Sequence, residues 1–241
     1  MRLPPVFLLL LLVGCNSSNQ PFGQYGQLTP STHVRLAVTV GGKRGFIDES
    51  GKLVINPQWD TAYPFNEGLA LVCVGECDGD HLVGRRYTKD FQEIILEQTF
   101  KYGYIDESGK LVINPSYEDA RNFSEGLAAV CQGKGCYSIS SKKDQPSKWG
   151  YIDKSGAIVV PLQFDAANDF KEGLAGVSVG GKWGYVDTKG TFVINPQFDG
   201  AGEFEKGFAT INTVVHEAED KTTYKFGYVD KTGKVIWQPS N

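Results

Sequence analysis

One block recurs along this chain of 241 residues, and it constrains the fold more than any other feature. Gly45-Phe46-Ile47-Asp48-Glu49-Ser50-Gly51-Lys52-Leu53-Val54-Ile55-Asn56-Pro57 returns at 103–115 as G-Y-I-D-E-S-G-K-L-V-I-N-P. Further copies start at Gly150 (G-Y-I-D-K-S-G-A-I-V-V-P-L), Gly184 (G-Y-V-D-T-K-G-T-F-V-I-N-P) and Gly227 (G-Y-V-D-K-T-G-K-V-I-W-Q-P). The first four continue into an aromatic and an acid: Trp59-Asp60, Tyr117-Glu118, Phe164-Asp165 and Phe198-Asp199. Each then reaches a Phe and an E-G-L-A segment, or its variant Glu205-Lys206-Gly207-Phe208-Ala209. A unit this short cannot bury a core alone, so the copies must pack on their neighbours.

Within a copy the period is that of strands. In Trp149-Gly150-Tyr151-Ile152-Asp153, alternation places Trp149, Tyr151 and Asp153 on one face and Gly150 and Ile152 on the other. Asp153 to Gly156 suits a type I turn closing on a left-handed glycine, a hairpin with a G1 bulge. A β-branched strand follows at 157–160, ended by Pro161, and a third strand at 174–179 precedes the next signature. The first copy is also complete, because 36–40 precedes Gly41-Gly42-Lys43. The expected fold is all-β, a tandem array of five three-stranded antiparallel meanders. An open solenoid or superhelical array is favoured over a five-bladed β-propeller, because three-stranded units are small for blades. In the propeller frame, 34–40 would instead close the last unit.

Composition agrees: Gly is 29 and Met is 1, with 14 Phe, 11 Tyr and 4 Trp, which suits turns and aromatic strands. A formal net charge of −4 without a basic block argues against charge-driven nucleic-acid binding. The copies resemble the WG-repeat (KWG) family, whose signature stands here as Lys148-Trp149-Gly150 and Lys182-Trp183-Gly184. Elsewhere Arg44, Tyr102 or Phe226 replaces the Trp, while Lys43, Lys101 and Lys225 persist. The resemblance covers roughly 34–239. It implies an all-β bacterial repeat protein, often at the surface, with no characterised catalytic residue.

The N-terminus reads as an address. Residues 1–15 hold Arg2, an apolar run from Val6 to Val13, and then Gly14-Cys15. That run is too short to span a bilayer and is expected to be a signal-peptide core. Leu12-Val13-Gly14-Cys15 resembles the lipobox of bacterial lipoproteins, which implies that Cys15 becomes an acylated N-terminus. Asn16 follows where Asp signals inner-membrane retention, so the resemblance leans toward an outer-membrane or cell-surface location. Residues 16–33 read as a flexible tether, and 34–241 as the repeat domain.

Candidate chemistry is sparse. The recurring Asp48, Asp106, Asp153, Asp187 and Asp230 are expected to cap their own turns rather than form a ladder of metal ligands or acids, and the recurring Lys to be solvated or, alternatively, to lie across a ring. The signature aromatics are expected in the core; alternatively Trp149 and Trp183 stack on a sugar or peptide. No nucleophile elbow, P-loop or H-E-x-x-H motif occurs, so no catalytic residue, metal or cofactor is assigned. With Cys15 lipidated, Cys73–Cys77 and Cys131–Cys136 are expected as local disulfides. A four-thiolate zinc site and a Cys73–Cys131 bridge are the alternatives. Insertions at 74–99, 132–147 and 212–224 leave one edge of the array, and the first offers Asp80, His81, Arg85, Arg86 and an extra strand within 91–96. The expected role is a non-catalytic, lipid-anchored module that binds a protein or envelope glycan. A structural spacer or inhibitor-like module is the alternative, followed by an envelope hydrolase.

Overall fold

The computed structural model describes residues 34–75, 77, 85–87, 93–95, 100–133, 136, 147–217 and 221–237. Every regular element among them is a β-strand, and every pairing is antiparallel. The first sheet is β1 (Leu36–Val40), β2 (Lys43–Ile47) and β3 (Leu53–Trp59). The second runs β4 (Thr61–Ala62), β5 (Leu69–Val74), β8 (Lys101–Asp106), β9 (Leu111–Tyr117). A separate hairpin, β6 (Arg85–Tyr87) and β7 (Glu93–Ile95), lies in the insertion between β5 and β8. The third sheet is β10 (Asp119–Ala120), β11 (Leu127–Gln132), β12 (Lys148–Asp153), β13 (Ile158–Phe164). The fourth is β14 (Ala166–Ala167), β15 (Leu174–Val179), β16 (Lys182–Asp187), β17 (Phe192–Phe198). The fifth is β18 (Gly200–Glu205), β19 (Phe208–Glu217), β20 (Lys221–Asp230), β21 (Val235–Trp237).

The all-β tandem array is therefore the fold, with one correction. Four of the five sheets gain a fourth strand, which in three of them is only two residues long. The expected closing strand of a propeller, 34–40, contributes β1 to the first sheet, where it pairs with β2 alone. The expected insertion at 212–224 is largely regular, because β19 and β20 extend into a ten-residue-stranded hairpin.

Each signature strand has two unlike faces. Cross-strand partners share a face, so in the second sheet Leu71, Cys73, Tyr102 and Tyr104 form a front and Ala70, Val72 and Ile105 a back. Both faces are buried, against different neighbours. The front of the first sheet (Phe46, Ile55, Trp59) packs with the crossover Phe65 on Ala70, Val72 and Ile105. The front of the second packs on Ala128, Val130 and Ile152, the back of the third. Trp149, Tyr151 and Val160 meet Ala175, Val177 and Val186, and Tyr185 and Ile194 meet Ala209, Ile211 and Val229. Bulky aromatic fronts thus fill small or β-branched backs four times, always in chain order. Each crossover also sends a Phe onto the front ring: Phe65 on Phe46, Phe123 on Tyr104, Phe170 on Tyr151 and Phe204 on Tyr185, with centroids 4.7–4.9 Å apart.

The signature glycine and the recurrent proline belong to one device. In the fourth sheet Trp183 faces Phe198 and Tyr185 faces Ile194, so Asn195-Pro196-Gln197 all lie opposite Gly184. This bulge presses onto the glycine. A Cβ at Gly184 would stand 2.4 Å from Ile194 O and 2.7 Å from Pro196 N, and the same clash recurs at Gly45, Gly103 and Gly150. A proline suits the bulge because no ladder hydrogen bond is asked of its nitrogen. Pro161, expected to end its strand, lies inside β13 for the same reason.

These contacts set an order of sensitivity. Gly184→Ala is expected to cost at least about 2 kcal/mol in chemical unfolding, since its nearest neighbours are backbone atoms that cannot swing away. Gly180→Ala, with φ +60 and open space around it, is expected to cost only about 1 kcal/mol. Trp149→Ala, 7% exposed inside the stack, should lose roughly 3–5 kcal/mol, and half-buried Trp183→Ala clearly less. Equal costs for the two glycines would refute the close-approach account.

Candidate interaction surfaces

The repeated polar residues are largely consumed in building the array. Asp48 Oδ1 accepts from the Ser50 and Lys52 backbone N–H groups at 2.9 and 3.0 Å and from Ser50 Oγ at 2.6 Å. Asp106, Asp153 and Asp230 repeat the set with Ser108, Ser155 and Thr232, and Asp187 accepts from Lys189 and Thr191 N–H. The hydroxyl bond above all holds the Asp48, Asp106, Asp153 and Asp230 carboxyls below their usual range. These aspartates cap turns, as expected from the sequence. The recurring Lys was expected in solvent and is instead paired. Lys43 meets Asp60 at 2.6 Å, Lys148 meets Asp165 at 2.5 Å, Lys182 meets Asp199 at 2.6 Å, and Lys101 meets Glu118. The second carboxylate oxygen of Asp60 and of Asp165 accepts the backbone N–H of Gly75 and Gly180, respectively. Burial raises the Asp60 carboxyl, but the Lys43 and Gly75 bonds outweigh it and leave it lowered.

The E-G segments form a second ladder, which joins sheet to sheet. Glu67 (φ 51), Glu125 (φ 55), Glu172 (φ 53) and Lys206 (φ 53) are left-handed, and each precedes a left-handed glycine. In the first three, the flanking residues exchange both backbone hydrogen bonds, as Asn66 and Leu69 do at 2.8 and 3.0 Å. Two left-handed central residues make a type I′ hairpin turn, which favours Asn, Asp or Gly over Glu. The glutamates are justified by where their carboxylates go. Glu67 Oε2 accepts from Gly126 N–H at 3.0 Å; Glu125 accepts from Glu172 and Gly173 N–H at 2.6 and 2.8 Å; Glu172 Oε2 accepts from Gly207 N–H at 3.0 Å. Lys154 and Lys231 add ion pairs from the following sheet to Glu67 and Glu172, at 3.1 and 2.9 Å.

The cysteines sit at the hairpin ends where the insertions leave. Cys73 and Cys77, and Cys131 and Cys136, lie at disulfide-bonding distance, with Cα–Cα separations of 6.2 and 5.9 Å. They are separate pairs, each against its own core cluster. Among the described residues no cluster of three or more His, Cys, Asp or Glu is arranged to hold a metal. Arg85 and Arg86 fall on β6. Asp80, His81, Cys15 and the 16–33 tether lie outside the described residues. Trp149 and Trp183 are not a free shelf: Trp149 is buried with the Arg121 guanidinium 5.6 Å over its ring, and Trp183 packs against the next core cluster.

Two surfaces stay open along the flanks formed by the sheet edges. Along one, the edge strands β3, β9, β13, β17 and β21 expose aliphatic or aromatic residues: Leu53, Leu111-Val112, Ile158-Val159, Phe192-Val193 and Val235-Ile236. In β9, β13 and β17 only the third and seventh residues are buried, and the bulge occupies the exposed stretch between them. The opposite flank, along the short strands, is polar and differs in every unit. Asp119, Arg121, Asn122, Asp169 and Glu203 occupy it where other copies carry Thr61, Tyr63 or Pro64, Ala166, Asn168 or Gly200. Burial pushes Asp119 up to about 7 against the opposing charge of Arg121. Burial likewise raises Asp169 and Glu203, each tempered by Arg121 and Lys171. Asn122 Oδ1 and Asp169 Oδ1, at matching positions in adjacent sheets, are buried without a hydrogen-bond partner. This flank therefore offers a cation, a carboxyl that donates when protonated near neutrality, and two unfilled acceptors. Sequence reasoning missed it, although aligning the A-x-x-F segments position by position exposes it.

Asp119 should leave a signature in pH-dependent stability. Its folded value of about 7 lies above the ordinary 3.8, so the folded chain binds that proton more tightly. The resulting stability is present at low pH and is lost as pH rises from about 4 through about 7. Asp119→Asn should remove that decline and raise the unfolding midpoint at pH 8 relative to the parent, by at most on the order of 4 kcal/mol. A parallel pH profile for the two proteins would show that Asp119 is not held protonated.

No curated protein matches the chain. The family model described as WG containing repeat matches residues 45–76, 102–136, 149–183 and 183–213, four successive units of the stack and more than half of the sequence. The matched stretches carry the bulge-facing glycines Gly45, Gly103, Gly150 and Gly184 and the crossover phenylalanines, so the features that the model recognises are those that hold the stack together. The chain belongs to the WG-containing repeat family.

Proposed function

We propose that this chain is a non-catalytic, lipid-anchored module of the bacterial cell envelope, held at the outer membrane or cell surface through Cys15, that binds a protein along its aliphatic flank. The observation that carries the reading is the row of exposed edge-strand residues, one set on every sheet. An apolar surface continued over five units exceeds the scattered exposure of ordinary surfaces and is the kind that a partner covers. The proline bulges of β3, β9, β13 and β17 break those edges against indiscriminate strand addition, which leaves side-chain contact as the mode of recognition. Two paired cysteine sets suit an oxidising compartment, in keeping with the lipobox-like Leu12-Val13-Gly14-Cys15. The polar flank favours a second reading, an envelope glycan whose hydroxyls donate to Asn122 and Asp169 and accept from Arg121.

The test uses the full chain expressed in a bacterial envelope. Cys15→Ser should abolish palmitate labelling and release the protein from the membrane pellet; continued labelling overturns the anchor. Val112→Lys with Val159→Lys and Val193→Lys should shift stability by no more than about 0.5 kcal/mol each, because these side chains are exposed. The same triple variant should lose a protein that the parent retains by cross-linking in the envelope. A partner kept by the triple variant but lost with Arg121→Ala moves binding to the polar flank.

A further inference from the structure

The stack has two unlike ends. At one, the back of the first sheet leaves Leu36 53% exposed, with Val38 and Ile47 half-buried. At the other, the front of the fifth sheet leaves Phe208, Phe226, Tyr228 and Trp237 exposed, with Tyr228 47% open although its counterparts Tyr104, Tyr151 and Tyr185 are fully buried. These match the two halves of the contact that the chain makes four times internally, an aromatic front against a small or β-branched back, with Leu36 standing where the internal backs carry Ala70, Ala128, Ala175 and Ala209.

The charges at the ends also match. Inside the stack, the E-G residue of one sheet meets the residue after the turn aspartate of the next: Glu67 with Lys154, and Glu172 with Lys231. In the fifth sheet the E-G position is Lys206, its side chain 87% exposed and its ammonium 3.7 Å from the likewise exposed carboxylate of the adjacent Glu205. In the first sheet the residue after the turn aspartate is Glu49, also exposed. Both signs are reversed together, so they remain complementary. The junction of the first two sheets already uses a basic residue on the leading side, since Arg35 Nε donates to Glu107 O at 3.3 Å.

We infer that copies of this chain associate head to tail, the front of the fifth sheet of one on the back of the first sheet of the next, with Lys206 of one facing Glu49 of the other. The contact is heterologous, so it propagates as an open row or closes as a ring according to the rotation per copy. The contact is separate from the aliphatic flank and does not depend on the partner proposed for it.

Sedimentation of the full chain in detergent tests this directly. The parent should form species larger than one copy in a concentration-dependent way. Lys206→Glu and Glu49→Lys should each weaken association at least roughly tenfold, and the two together should restore it to within about threefold of the parent. Phe226→Glu, at a position already 58% exposed, should abolish association while leaving the unfolding midpoint in place. A parent that stays monomeric up to about 100 µM overturns the inference and assigns the aromatic end to a different protein. A double charge variant no better than either single one overturns the register.

Discussion

The structure rests on a mismatch between the two faces of each sheet. A front of Tyr, Trp and Phe is too bulky to meet another front at close packing, and a back of Ala and Val leaves space against another back. Front against back fills that space, and the core clusters show it filled with nearly every ring buried. The rest serves this contact. The bulge opposite the signature glycine lets the third strand cross without lifting away from the ring above it. The crossover Phe plugs the remaining gap, and the hydroxyls of Tyr104, Tyr151 and Tyr185 donate to Arg121, Asn168 and Gly202 carbonyls of the following crossover at 2.6, 2.7 and 2.9 Å.

The polar ladders contribute direction and register more than stability. The Lys–acid pairs are partly exposed, and such pairs stabilise by about 1 kcal/mol or less each. Their value lies in fixing where each hairpin ends, since an acid such as Asp60 or Asp165 also takes the backbone N–H of the glycine just past the neighbouring strand, Gly75 or Gly180. The glutamate ladder holds Glu67, Glu125 and Glu172 in a left-handed conformation that an isolated turn would give to Asn or Gly. At Lys206 the series ends, and so does the carboxylate; among the described residues no further turn follows that would need it.

How much of this was legible in the sequence depended on length scale. The repeat, the strand period, the G1 turn at Asp153–Gly156 and the two faces of the signature strand are local, and each was readable from consecutive residues. The fourth strand was not, because two residues such as Ala166-Ala167 carry no period. Pro161 was misread as a strand end because a bulge and a terminus look alike until the partner strand is known. The Lys–acid pairs join residues seventeen apart across a hairpin, beyond any spacing rule for a single strand. The polar flank was hidden for a different reason. Its residues, Asp119, Arg121, Asp169 and Glu203, are ordinary in type, and they become a set only when adjacent sheets bring matching positions together.

The one-way glutamate ladder bears on the order in which the chain acquires structure. Each carboxylate belongs to the earlier sheet and each capped N–H to the later one. Each back face likewise finds its cover in the sheet before it. A chain delivered N-terminus first therefore meets, at every unit, a template that has just been completed, and no unit waits for residues still to arrive except to cover its own front. Assembly proceeds like laying courses of brick, with a single exposed aromatic course at the growing end.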